Sequence, residues 1–451
     1  MLNLIFTLII VGITKVVLAN PYWDPTKIPK DPVWPDFFHS HYFDDVPQMS
    51  LHGIDLMRIQ LDWEEKKDKF SISAIIKESS GTSAWAARVK KTDEFGSYRG
   101  YLKDKKGNLL GYESIGTGSL FRKLTRALTF RLPIPSEPAI FELWGENPTS
   151  GKMELLLTEE VSGPTAEIKK IDGLEVRRLK AGESPVIVVN LYAEGFKKKY
   201  QEKFWETAQK VVETLKSTNF PMFEHFEIYG VFTESEEELG SPSELGFPVP
   251  ERNSFLGLYY PYWIKFGRWY NVVYPTRESR FREGIGQVPY DYPIAIVDDN
   301  NYWGIGNYNE ITAIPADSDS FRYLLLHEFG HFFGLNEEYE GGGPTELEFA
   351  KGISEPWSQN ITFLFNLKST GIKWKQYVEE ATPIPTPTDI WKEKPKTYGA
   401  YRGGYADSEP RNHSHKPGFR CMMESGPEFC PVCREAIGDK IKRDLGIIGR
   451  Y

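Results

Sequence analysis

The run from Phe321 to Tyr339 holds the residues best suited to chemistry: His327 and His331 stand four positions apart, with Glu328 directly after the first. Four residues is about one helical turn, so both imidazoles project from one side of a helix and can share one cation. A glutamate placed beside them can take a proton from a water that the cation acidifies. Two imidazole nitrogens plus a carboxylate suit zinc, with one position left open for water. The chain has 8 histidines, so this pairing is not the by-product of a histidine-rich composition.

Two histidines do not complete such a site, which usually takes three protein ligands. Gly334 follows His331 by three residues, where a left-handed conformation ends a helix without steric cost. The chain can then double back, and the side chain six residues after His331 is Glu337. Glu337 is therefore the expected third ligand and Glu338 the alternative, with one catalytic Zn2+ as the cofactor.

These residues need a helix and a sheet to hold them. Leu324, Leu325, Phe329 and Phe332 give the helix an apolar face, and Asp317, Ser318 and Asp319 are N-cap candidates. Upstream, Pro185 to Leu191 and Pro293 to Asp298 read as buried strands. A helix carrying Tyr200, Phe204, Ala208, Val211, Val212 and Leu215 on one face follows the first. Gly304 to Ile314 reads as a return strand, and strand–helix–strand order implies an α/β domain with a mixed sheet. Gly304 and Gly306 do not open a helix, so they make no dinucleotide loop. Ala381 to Lys396, rich in proline and threonine, reads as a loop.

The rest of the chain has other tasks. Leu2 to Leu18 is apolar apart from Lys15 and ends Val17-Leu18-Ala19, so residues 1–19 read as a signal peptide cleaved after Ala19. The expected location is outside the cell or in a periplasm. Residues 20–49 form a proline-rich extension. From 50 to 160 short strands alternate with turns, including Ile54 to Leu61, Phe70 to Ile76, Leu128 to Leu132, Ile140 to Trp144 and Met153 to Leu157. That pattern implies a β-sandwich. Residues 161–182, polar and lysine-rich, read as a linker to a catalytic domain over 183–451.

Composition narrows the classes further. The 451 residues are 40% hydrophobic and 26% charged, which is the balance of a folded globular chain. A formal net charge of −9 with no long basic run argues against nucleic acid and anionic membrane as main partners. No segment after the export signal is long and apolar enough to span a bilayer. The expected partner is a protein or peptide substrate, and the expected state a monomer.

The His-Glu-Phe-Gly-His run continuing into Gly334-Leu335-Asn336-Glu337-Glu338-Tyr339 resembles the IgA peptidase family of secreted zinc metallopeptidases. Pro356-Trp357, Asn360-Ile361-Thr362, Ile372-Lys373-Trp374, Ile384 to Pro387, Cys421-Met422-Met423 and Phe429 to Ile437 are similar to that family's downstream segments in the same order. The resemblance implies a metzincin-like zinc endopeptidase domain. Gly334 would close the active-site helix, and Met423 (or Met422) would supply the methionine turn beneath the metal. Glu337 matches a position where the family has aspartate. This chain has two residues between His331 and Gly334 where the family has three, so its helix exit is its own. The implied reaction is hydrolysis of a peptide bond, with Glu328 as general base. Two other readings are a binding protein or adhesin with a vestigial metal site, and a zinc hydrolase of non-peptide amides. An intact Glu328 argues against the first.

Cys421, Cys430 and Cys433 lie close together, and in an exported protein one disulfide with one thiol left over is expected. A structural zinc site using these thiols and His415 is the lesser alternative. His413, His415 and Tyr339 are candidates for the substrate cleft. Asn360-Ile361-Thr362 and Asn412-His413-Ser414 are glycosylation sequons. The aromatic run Leu258 to Trp263 reads as packing.

Overall fold

The computed structural model describes residues 54–64, 69–81, 95–116, 127–147, 150, 152–238, 252–259, 262–263, 268–269, 273–301, 303–339, 356–362, 371–404 and 414–447. The expected signal peptide over residues 1–19, the proline-rich extension, His413 and the sequon asparagine Asn412 lie outside the described residues. The architecture is mixed α/β, with several sheets and few helices.

The N-terminal half builds two four-stranded sheets. One has the order β5 (Leu128–Pro133), β1 (Ile54–Glu64), β2 (Lys69–Gly81), β8 (Ala166–Glu167). The other runs β4 (Leu109–Ile115), β3 (Tyr98–Lys103), β6 (Ala139–Glu146), β7 (Met153–Val161). β6 alternates buried and half-buried residues, as a strand with one face on a core does. Met57, Ile59 and Leu61 of the first sheet share one core with Leu102, Phe141 and Leu143 of the second.

The second half is organised by a six-stranded sheet. Its order is β17 (Ile305–Gly306), β18 (Thr312–Pro315), β16 (Tyr292–Val297), β10 (Ile187–Glu194), β11 (Phe226–Phe232), β9 (Glu175–Lys180). The four middle strands are parallel and the two edges antiparallel. β10 is buried along its whole length, as a parallel strand covered on both faces must be. Ile187, Val189, Leu191 and Ala193 point into the core beneath α1 (Gln201–Ser217), while Tyr192 points into the opposite one. That opposite core packs α2 (Glu278–Ile285) and the short pairs β12 (Leu258–Tyr259) with β15 (Tyr274–Pro275). β13 (Tyr262–Trp263) pairs with β14 (Arg268–Trp269). Leu258 and Tyr259 are buried there, so this end of the aromatic run is packing. Burying each such large apolar side chain contributes about 1.5–3 kcal/mol.

Three expectations need correction. Residues 161–182 are not a free linker. β8 pairs in parallel with Ile76 and Lys77 of β2, and β9 is an edge strand of the central sheet. The charged residues that suggested a linker belong to an edge strand, where charge guards against unwanted pairing. Tyr200 is not on the helix face but precedes α1 and is 37% exposed; Trp205 fills the core instead. The stretch 381–396 is not all loop, because Thr388–Glu393 forms a short helix, α4, directly after Pro387.

The two halves are joined by specific contacts. Arg131 donates to the Tyr290 carbonyl at 3.0 Å and lies 4.0 Å over the Tyr290 ring. Gly116 N–H donates to the Tyr308 carbonyl (3.0 Å) and Asn309 Nδ2 to the Ser114 carbonyl (2.9 Å). Phe95 packs with Tyr308 and Trp357.

Candidate active site

α3 (Phe321–Phe332) follows β18 and carries both histidines. Its N-cap is Ser320, and no side chain caps the helix, so the upstream Asp317, Ser318 and Asp319 do not play the expected part. The helix ends as its residues predict. Gly334 has φ +87°, and Leu335 N–H closes back on the Gly330 carbonyl at 3.2 Å. That 6→1 closure is a Schellman ending, which the missing Cβ of a glycine permits.

His327 and His331 turn their Nε2 atoms toward each other, 3.3 Å apart. Each Nδ1 is engaged behind: His327 with the Met422 carbonyl (3.0 Å), His331 with the Leu335 carbonyl (2.8 Å). A carbonyl at Nδ1 fixes the tautomer with the proton there and leaves Nε2 as the free lone pair. Burial lowers both imidazoles to about 4, so both are neutral near pH 7. Tyr323, one turn before His327, stacks on its ring at 5.1 Å, and Tyr339 stacks at 5.8 Å. Tyr323 also donates to the Glu424 carbonyl at 3.0 Å.

After Gly334 the chain doubles back. Glu337 Oε1 comes to 4.0 Å from His331 Nε2, and its Oε2 is buried with no hydrogen-bond partner among the described residues. Burial pushes the Glu337 carboxyl up to about 7. Two facing lone pairs beside a buried carboxylate oxygen that lacks a donor fit a divalent cation. Glu338, the alternative, points elsewhere: Cys433 Sγ lies 3.1 Å from its Oε1. Glu338 N–H donates to the Met423 carbonyl (2.7 Å), which ties this loop to the segment at Met423. Met423 is fully buried, and its Sδ lies 2.6 Å from where a Cβ on Gly330 would be.

Glu328 is also buried. Loss of solvent, and then Glu337, push its carboxyl up to about 8. It lies against β17, where a Cβ on Gly304 would collide with the Glu328 carboxyl and one on Gly306 with the Glu328 carbonyl. These two glycines therefore allow an edge strand to lie directly beside the helix. Spacing alone could not reveal that role.

The cysteines do not form the expected disulfide. All three are free thiols, with Cys421 Sγ 3.6 Å from Cys433 Sγ. Nor does His415 join them. Its main chain pairs with Thr362 and Arg402, and Glu338 is the residue that meets the sulfurs. Asn360 is another residue whose part the sequence disguised. Read as a sequon, it is 0% exposed; its amide donates to the Asn336 carbonyl (2.7 Å) and Glu338 Oε1 (3.0 Å), and its Oδ1 accepts from Asn336 N–H (2.9 Å). A glycan has no access to it in this fold.

A search of curated proteins returns no match for the chain. Residues 176–394 match the family model described as IgA Peptidase M64. The match runs from within β9 through α4, so it takes in the central sheet, α3 and Glu337, while Met422, Met423 and the cysteines lie beyond it. The resemblance read from the motifs is thereby borne out: residues 176–394 match the IgA peptidase M64 family, which supports a peptidase and implies a protein or peptide substrate.

Proposed function

We propose that the protein is a secreted zinc metalloendopeptidase whose single catalytic ion is held by His327, His331 and Glu337. The observation that carries this reading is the facing pair of Nε2 atoms, 3.3 Å apart, with Glu337 Oε1 4.0 Å from one of them. Bound zinc would supply Lewis acidity, polarising the scissile carbonyl and acidifying the attacking water. The chain's own residues do the rest. Glu328, held in a dry position beside β17, takes the proton of the attacking water and delivers it to the leaving amine. Its raised carboxyl, near neutrality, suits both duties. The Met422 and Leu335 carbonyls keep the imidazoles aimed. β17 is an edge strand, and its outer side offers backbone groups to an extended peptide.

The methionine turn under Gly330 and the Gly334 helix exit support a metzincin-like domain. Two four-stranded sheets around one core support a β-sandwich at the N-terminal side. Export rests on the apolar run ending at Ala19, and we take the acting unit as a monomer.

Glu328→Gln tests the reading. Zinc content by mass spectrometry should stay near that of the unaltered protein, while hydrolysis of denatured protein falls by about 10²–10⁴-fold. Hydrolysis that survives both this substitution and a chelator would overturn it.

A further inference from the structure

Glu338 and the three cysteines have no part in the peptidase chemistry, yet they form a cluster. Cys421 Sγ, Cys430 Sγ, Cys433 Sγ and a Glu338 carboxylate oxygen all lie within 4.8 Å of one another. They come from three separate segments: the loop after α3, the methionine turn, and the start of α5 (Pro431–Asp444), where Cys430 is the N-cap and Cys433 lies in the first turn. We propose that these four residues bind a second zinc ion, structural in role, which locks the loop carrying Glu337 to the methionine turn.

Three observations carry this. The first is size. Zinc–sulfur bonds of about 2.3 Å in a tetrahedron place sulfurs about 3.8 Å apart, and Cys421 Sγ and Cys433 Sγ are 3.6 Å apart. The second is the carboxylate. Glu338 is 0% exposed, its Oε2 has no partner among the described residues, and its Oε1 has only the Asn360 amide and the Cys433 thiol. Lys416 Nζ is bound to the Glu338 carbonyl and the Glu424 carboxylate instead. A charge buried among sulfurs costs free energy unless a cation meets it. The third is that a disulfide solves nothing here. With three thiols, any pairing strands one sulfur and leaves the carboxylate uncompensated.

The environment suits thiolates. Cys430 N–H donates to Cys421 Sγ at 3.3 Å, and the positive end of the α5 dipole begins at Cys430. Three thiolates and one carboxylate around Zn2+ carry the same charge as a four-cysteine site, and soft sulfur ligands select zinc over harder cations. Glu337 and Glu338 are neighbours in sequence, so one peptide unit would serve two ions: Glu337 toward the histidines, Glu338 toward the cysteines.

The test uses the full-length protein, loaded with zinc or with cobalt(II). The expected content is about two ions per chain, with a near-ultraviolet thiolate-to-cobalt charge-transfer band in the cobalt form. Cys433→Ser and Glu338→Gln should each lose about one ion, and Cys433→Ser should also weaken that band. His331→Ala should lose about one ion and keep the band, which separates failure of this site from failure of the catalytic reading. Because the spectrum is read on the unaltered chain, a variant that does not fold leaves the test intact. Absence of the thiolate band, or an intact mass lighter by two hydrogens from a disulfide between these cysteines, overturns the proposal.

Discussion

Gly330, next to His331 in α3, gives a direct measure of how Met423 packs beneath the helix. A Cβ built on it would lie 2.6 Å from Met423 Sδ and 3.1 Å from Phe429 Cε1. Comfortable contacts are about 3.5–4.0 Å, so in Gly330→Ala the sulfur would have to retreat by about 1 Å. Met423 is fully buried and its carbonyl holds Glu338 N–H at 2.7 Å, so little slack exists. Two effects oppose each other. Alanine gains about 1 kcal/mol over glycine inside a helix, and over-packing costs about 1–3 kcal/mol. The net expectation is a loss of about 1 kcal/mol. In a Met423→Ala background the nearest obstruction is gone, the Phe429 ring at 3.1 Å can shift by a few tenths of an ångström into the space left, and the same substitution should stabilise by up to about 1 kcal/mol. The sign reversal, a coupling of about 2 kcal/mol, is the prediction. Urea unfolding of all four proteins, followed by tryptophan fluorescence and far-ultraviolet circular dichroism, measures it through midpoints at unchanged slope. Met423→Ala itself costs about 2–5 kcal/mol, so each comparison stays within its own background. If Gly330→Ala stabilises the unaltered chain by the full helical increment, Met423 is not packed beneath this helix and the reasoning fails.

Gly306→Ala would drive a Cβ into the Glu328 carbonyl and push β17 off α3. Peptide hydrolysis should fall by about 10²-fold, as displacements near 1 Å do. Gly438→Ala, whose Cβ would meet nothing nearer than Pro221 at 3.9 Å, should instead stabilise α5 by about 1 kcal/mol with hydrolysis unchanged. Asn360→Ala strips partners from Asn336 and Glu338 and should cost about 3 kcal/mol by urea unfolding. Peptide mapping of protein from a glycosylating host should find Asn360 bare. Brief trypsin treatment should leave Arg177 and Arg178 uncut, because β9 is paired with β11; early cleavage there would restore the linker reading.

What the sequence discloses is what local periodicity determines. β10 and β16 read as apolar runs because both their faces are buried, and the histidine spacing sets a common helical face whatever surrounds it. β3 and β4 carry a weak strand signal, since Gly100 and Gly111 dilute it. Those glycines admit the Phe130 ring and Pro133 at close range, which only the folded sheet reveals. β9 reads as a linker in the sequence because Glu175, Arg177, Arg178 and Lys180 are charges on an edge strand. Glu338 meets Cys433 across 95 residues of chain, so no spacing rule could join them. Asn360 carries a surface motif but sits in the interior, and composition cannot tell the two uses apart.

The contacts between the halves also bear on how the molecule is made. Arg131 waits 159 residues for Tyr290, and Ser114 waits 195 for Asn309. Chains emerge from the amino end and tend to fold in that order, while pairings this distant are slow to find. The two N-terminal sheets can close on their own core before the peptidase half is synthesised. They then present Phe95, the Gly116 amide and Arg131 as a finished template. The loop at Tyr308, which sits between β17 and β18, is set against that template. Folding in that order would make the N-terminal half an internal mould for the half that matches the peptidase family.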